Sequence, residues 1–346
     1  MLFNMGVTYQ TVIWTRQKKV YDAVLWGFIF LYLAIFGILQ LQLYPEVTAE
    51  TIIIRGTGSL AFLLLHIILI IGPICRLYPK FLPLLYNRRH LGVSMFVIAL
   101  VHGIFNIIQF HALGDTSPIL SLFTSNTHYD SLTQFPFQTL GFFSLLILFF
   151  MAASSHDFWL HNLSPRLWKS LHMMVYVAYF LIVMHVMLGT FLVEDSRIGA
   201  FLVAGGMFTI LFLHLTAAFV EVKRNKIVPQ VLDGFVAVCD VEEIEENRAK
   251  VVLIEGENIA VFKYDGKLSA INNVCKHQNG PLGEGKIVDG CITCPWHGFQ
   301  YLPGNGCSPP PFTEKVGTYD LKLVGTKIYV NPNPHPDGTA VEPVLL

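Results

Sequence analysis

The chain has 346 residues, 53% of them hydrophobic and 14% charged, with a mean hydropathy of +0.54; soluble domains carry about 25% charged residues, so an ordinary soluble protein and a disordered chain are both excluded. A formal net charge of −1 with no basic block longer than three residues disfavours nucleic acid as a partner. The charge is uneven: through Lys226 there are 14 Lys and Arg against 9 Asp and Glu, and from Ile227 onward 9 against 15. The expected organisation is a six-span membrane domain over 1–226, a small acidic soluble domain over 227–335 and a tail over 336–346.

Six segments reach the roughly 20 apolar residues that a helix needs to span a bilayer, namely 21–44, 57–77, 89–110, 135–153, 170–191 and 198–221. The first is too long for a signal sequence and lacks a small-residue cleavage site, so it reads as a retained span. Basic residues cluster in alternate connections. Arg16, Lys18 and Lys19 precede the first span, and Arg76, Lys80, Arg88 and Arg89 follow the second. Arg166 and Lys169 precede the fifth, and Lys223, Arg224 and Lys226 follow the sixth. Only Arg55 and Arg197 fall on the other side. That asymmetry predicts both termini and the soluble domain in the cytoplasm, and a bacterial inner membrane as the location.

Polar residues inside spans are expensive and default to function. His90 and His102 lie 12 residues apart on the third span, and His172 and His185 lie 13 apart on the fifth. At 1.5 Å per residue each pair is separated by about 18–20 Å. Both spans start on the cytoplasmic side, so His90 matches His172 in depth and His102 matches His185. Two histidines at one depth can take both axial positions of a haem iron. The competing reading is polar glue between helices, which four histidines at matched depths disfavour. His66 and His214 have no depth-matched partner and read as packing or propionate-side residues.

The stretch Gly58 to Asn106, with Pro73, Arg88-Arg89, Leu91-Gly92 and Ala99-Leu100-Val101-His102, resembles the ferric-reductase-like transmembrane family. It is similar in particular to the membrane haem subunit of the periplasmic methionine sulfoxide reductase system. The run Arg166-Leu167-Trp168-Lys169-Ser170-Leu171-His172, with Tyr176 and His185 behind it, matches the same family. The resemblance implies b-type haem and carries over His102, His172 and His185. His90 is a departure, since that subunit usually has an apolar residue after the paired arginines. Two haems are expected, His102 with His185 outside and His90 with His172 inside, with Arg88 and Arg89 suited to the inner propionates.

Beyond Pro229 the pattern changes to short strands at 234–239, 250–254, 258–263, 267–271, 290–293, 299–301, 319–324 and 327–330, separated by turns such as Asp265-Gly266. The fold class is therefore an all-α six-helix membrane bundle followed by a small all-β domain. Its chemistry lies in Cys275-Lys276-His277 and Cys294-Pro295-Trp296-His297. Two Cys-His pairs on two loops are the ligand set of a Rieske [2Fe–2S] centre, two thiolates on one iron and two imidazoles on the other. A zinc or dithiol site at Cys291 and Cys294 ignores both histidines.

With Gly280-Pro281-Leu282, His297-Gly298-Phe299 and the Pro309-Pro310-Pro311 loop, the domain resembles Rieske ferredoxins over nearly its whole length. Quinol-oxidising Rieske proteins have two bridging cysteines and a serine where this chain has Gly280, Trp296 and Phe299. Tyr301 remains. Fewer donors to the sulfurs imply a potential near the low end of the Rieske range, about −150 mV. The other cysteines read as ordinary thiols.

No Gly-x-Gly-x-x-Gly after a strand, no Walker loop and no flavin signature is present, so this chain is expected to bind no nucleotide cofactor. The expected function is transmembrane electron transfer from a cytoplasmic reductase or ferredoxin, through the cluster and one or two haems, to a redox protein or small oxidant on the outer face. Membrane lipid is the remaining partner. Two alternatives stay open: a metal-ion or oxygen reductase acting at the outer haem, and an electron-transfer subunit of a larger respiratory or photosynthetic complex.

Overall fold

A computed structural model describes residues 16–131, 134–156, 159, 163, 165–192, 197–224, 231–254, 257–277, 280–296 and 298–346. Its contacts divide the chain into two units. One takes the chain up to Ile70 with Asn87–Phe212, and the other takes Ile71–Tyr86 with Leu213–Leu346.

The helices are α1 (Arg16–Leu43), α2 (Ala49–Leu77), α3 (Arg88–His111), α4 (Pro118–Thr124), α5 (Phe137–Ser154), α6 (Pro165–Met173), α7 (Val175–Leu192) and α8 (Arg197–Arg224). Six stretches are long and apolar enough to cross a membrane, each overlapping one predicted span. The second helix begins at Ala49 rather than at 57. The Thr51 backbone N–H donates to Thr48 Oγ1 (3.3 Å) and Glu50 sits in the first turn, so a polar cap extends the helix beyond its apolar run. The fifth span is interrupted at Met174, whose N–H donates to Leu171 O three residues back, a tighter turn that separates α6 from α7. Helix α4 is absent from the sequence reading. It has seven residues with Pro118 in its first turn, too short for a periodicity signal. Helix α5 packs on both α3 and α7, so it lies between the helices that carry His102 and His185.

The β unit holds three antiparallel sheets: β1 (Val231–Leu232), β2 (Phe235–Asp240), β11 (Lys327–Val330) and β10 (Leu321–Val324) in that order; β12 (Val344–Leu345), β5 (Lys267–Asn272), β4 (Glu257–Tyr264) and β3 (Arg248–Ile254), with β9 (Thr318–Tyr319) also on β5; and β6 (Lys286–Val288), β7 (Cys291–Thr293) and β8 (Gln300–Tyr301). Strand β4 is buried on both faces. Ile259 and Val261 enter one core with Leu268, Ala270 and Ile328, while Ala260 and Phe262 enter a second with Ile271, Cys275, Cys294 and Tyr301. The period-2 alternation of a strand thus divides the interior, and the second core is the floor beneath the two Cys-containing loops. The predicted strand 319–324 is split at Asp320. Within residues 336–346, Val344 pairs with Leu268 and Leu346 N–H donates to Gly266 O (3.0 Å).

Candidate redox centres

The first loop follows β5. Cys275 N–H donates to Gly280 O (2.9 Å), and Val274 bridges Pro281, so the loop closes on itself. The second loop follows β7 and returns on β8. Gly298, at φ +74, allows Gly298 N–H to reach Cys294 O (2.9 Å) while Cys294 N–H reaches Phe299 O (2.8 Å). Both loops meet at Gly280, where a Cβ would lie 2.7 Å from Cys294 Sγ and 3.2 Å from the Trp296 ring. Any side chain at position 280 would therefore press on the Cys294 sulfur and the Trp296 ring.

Cys275 and Cys294 are fully buried. The Lys276 backbone N–H donates to Tyr301 Oη (3.0 Å), which leaves the Tyr301 hydroxyl hydrogen for Cys275 Sγ at 3.4 Å. Burial, then the adjacent Cys275 sulfur, pushes the Tyr301 phenol above its ordinary range, so it stays a donor. His277 is half-buried and stacks on Phe299 (centroids 4.7 Å, planes 8° apart), and Phe299 in turn packs on Phe312. Phe299 therefore offers His277 an apolar face instead of a sulfur donor. His297 lies outside the described residues. Among the described residues no three His, Cys, Asp or Glu converge on one point, which a cluster with two ligands on each of two irons does not require. Away from these loops, burial pushes the Cys239 thiol up to about 11 and raises that of Cys291, so both are inert.

In the membrane unit the histidines divide by how their nitrogens are used. A carbonyl can only accept, so a short contact fixes the proton on the nitrogen that makes it. His102 Nδ1–H donates to Ile54 O (2.9 Å), His185 Nδ1–H to Phe137 O (2.9 Å) and His172 Nδ1–H to Trp168 O (3.0 Å). His90 Nδ1 lies 2.8 and 3.0 Å from the two Asp22 oxygens. In each neutral ring the lone pair is left on Nε2, the tautomer and anchoring that metal-bound histidines use. For His172, Ser155 Oγ is 3.3 Å from Nε2, but that hydroxyl gives its hydrogen to Met151 O at 2.7 Å. His66 and His111 differ. His66 also accepts at Nε2 from Tyr179 (3.1 Å), and His111 is bonded at both nitrogens, to Ser121 and Gln138.

Among the described residues the rings of His102 and His185 come together. The His102 and His185 centroids are 6.2 Å apart with planes at 81°. An imidazole nitrogen binds a first-row metal at about 2 Å and lies about 1 Å from its ring centre, so two rings sharing one iron have centroids about 6 Å apart. The residues present fit a haem iron there. Each ring also lies against a glycine of the neighbouring helix, one turn after the carbonyl that anchors it. A Cβ on Gly58 would be 2.8 Å from His102 Nδ1, and one on Gly141 would be 2.9 Å from His185 Nδ1. Sequence reasoning missed both glycines, and also Asp22. Their signal was present as isolated glycines, and one acid, inside apolar spans. His90 and His172 each sit with the partners given above, and Arg88 and Arg89 open α3.

Comparison with known proteins places a Rieske [2Fe-2S] domain at residues 234–320 and a ferric reductase like transmembrane component at 57–183. A Ciona intestinalis protein named cholesterol 7-desaturase nvd 1 is 34% identical over 89 residues, which are 25% of this chain and 19% of that protein. The chain thus spans about a fifth of that relative. The anthranilate 1,2-dioxygenase ferredoxin subunit of Burkholderia cepacia is 30% identical over 92 residues, which are 26% of this chain and 85% of the subunit. Among solved structures, the ferredoxin of carbazole 1,9a-dioxygenase from Nocardioides aromaticivorans IC177 aligns over 29% of this chain and 100% of its own, with 24% identity and a TM-score of 0.28. With six apolar helices ahead of these loops, the chain is an integral membrane protein that belongs to the Rieske [2Fe-2S] family through residues 234–320 and carries a ferric reductase like transmembrane component over 57–183.

Proposed function

We propose that the chain moves single electrons across a membrane, between a soluble donor on the cytoplasmic face and an acceptor on the other, with a Rieske cluster and b-type haem as carriers. The observation that carries this reading is the His102–His185 pair, 6.2 Å between centroids, in a chain that also has a Rieske domain. Bound, the two kinds of centre supply one-electron redox chemistry with no proton or group transfer. Cys275 and Cys294 would hold one cluster iron, and His277 and His297 the other. Tyr301 donates to the Cys275 sulfur, while the buried floor of Ile271, Leu282 and Ile292 excludes water from the sulfur side. His102 and His185 would hold a haem iron through Nε2, with Ile54 and Phe137 fixing their tautomers. His90 and His172 would hold a second haem, and Arg88 and Arg89 would supply positive charge for its propionates.

The donor in this reading is a ferredoxin or reductase, which passes its electron to the chain's own ferredoxin-like domain, the part similar to the Burkholderia ferredoxin subunit. The acceptor is a redox protein or small oxidant. The test is a proteoliposome holding ferricyanide inside and a reduced donor outside. Wild-type protein should bleach the ferricyanide, and both Cys294→Ser and His102→Ala should stop it. Bleaching that survives both substitutions would overturn the reading.

A further inference from the structure

The segment 331–346 lies beyond the matched Rieske residues, which end at 320, yet it is fastened along them. His335 N–H donates to Thr318 O (2.9 Å), Gly338 N–H to Val316 O (3.2 Å) and Val341 N–H to Gly304 O (2.8 Å), while Thr318 Oγ1 donates to Thr339 O (2.9 Å). His335 Nε2 lies 2.9 Å from Asp320. This strap delivers one acid to the first cluster loop: Asp337 Oδ2 is 3.1 Å from Lys276 Nζ. Lys276 stands between Cys275 and His277, and its backbone N–H is already tied to Tyr301. The residue between the two ligands is therefore held at both ends, by Tyr301 at the main chain and by Asp337 at the side chain.

We propose that Asp337 is a positioning residue for the Rieske cluster, neutralising Lys276 and holding the Cys275–His277 loop, so that the C-terminal strap sets the cluster's potential. The inference rests on the reading of Cys275 and His277 as ligands. Reduction adds one electron and one negative charge to the cluster. A nearby carboxylate opposes that and a nearby ammonium favours it, and net charge is one of the terms that set such potentials. Both side chains are about half exposed, so solvent and salt reduce the effect without changing its sign.

The experiment is a spin-resonance-monitored redox titration of the full chain in detergent, for wild type, Asp337→Asn, Asp337→Glu and Lys276→Met. Asp337→Asn should raise the midpoint, Lys276→Met should lower it, and Asp337→Glu should stay near wild type. A purely structural role would move the two neutralising variants in the same direction. Shifts of one sign, or none, overturn the proposal. Should Asp337→Asn assemble no cluster, Lys276→Met decides alone: a lower midpoint supports the strap's role and an unchanged or higher one refutes it. Absence of the reduced-cluster signal from wild type removes the ligand assignment itself, and this inference with it.

Discussion

Gly58 and Gly141 stand to the two paired histidines much as Gly280 stands to Cys294: a Cβ would press on the anchoring Nδ1 of each ring, as it would on the Cys294 sulfur, so hydrogen is the only side chain that leaves the neighbouring residue in place. Gly141→Val should therefore displace His185 and, on the proposed ligation by His102 and His185, lower the haem content. Gly205→Ala, where a Cβ meets nothing within 4 Å, should leave haem absorbance unchanged. The measurement is haem absorbance against the Rieske spin signal in the same sample, and equal loss in both variants would dissociate the glycine from the haem. Cys294→Ser makes the converse separation, deleting the spin signal while haem absorbance persists. At this scale the chemistry was legible because the Cys-x-His and Cys-x-x-His spacing is set by the cluster. The glycines were not, because a backbone contact with an imidazole on another helix leaves no local pattern. Tyr301 is a graded case. It was named from the sequence, but that Lys276 N–H turns its hydrogen toward sulfur needed the structure. Tyr301→Phe should lower the cluster midpoint, since the lost donor favours the reduced sulfurs.

Between the residues and the chain, the elements were recovered where one periodicity dominated and missed where two forces competed. The six apolar runs fix the spans, since length and hydropathy suffice in a bilayer. The break at Met174 was invisible because Leu171, His172, Met173 and Met174 are all tolerated by a helix. Strand β4 was legible as a run of apolar residues and is buried on both faces. Edge strands β1 and β12, two residues each, depend on their partners rather than on pattern. The His66–Tyr179 bond illustrates an element contact without a redox role. It joins α2 to α7, with Gly206 of α8 so close that a Cβ there would meet His66 Nε2 at 2.6 Å. Removing the hydroxyl with Tyr179→Phe should cost about 1 kcal/mol, in line with interhelical hydrogen bonds in membranes. Haem content should be unchanged, because both His66 nitrogens are committed elsewhere. A haem loss on Tyr179→Phe would tie the His66–Tyr179 bond to haem binding.

For the whole molecule the open quantity is the number of haems, and the structure sharpens the argument. A hydrocarbon core is about 30 Å thick, so in the proposed arrangement a lone haem held by His102 and His185 would leave a long gap to the side where α3 begins. His90 and His172 precede them by 12 and 13 residues, at the start of α3 and near the end of α6. Against an inner haem stands their separate partnership, His90 with Asp22 and His172 stacked on Trp168 at 3.9 Å. For it stands the shared chemistry: both rings anchor Nδ1 and keep the Nε2 lone pair, as His102 and His185 do and as His66 and His111 do not. Asp22 is half-buried near the start of the first span, where an acid is costly unless paired, and a carboxylate behind a histidine raises its basicity as a ligand. Two haems per polypeptide are therefore expected by pyridine haemochrome assay. His90→Ala should remove about one of them, and Asp22→Asn should shift the midpoint of that same haem upward while the other holds. A wild-type ratio of one haem, unchanged by His90→Ala, would retire the inner site and leave Asp22–His90 as a bond between α1 and α3.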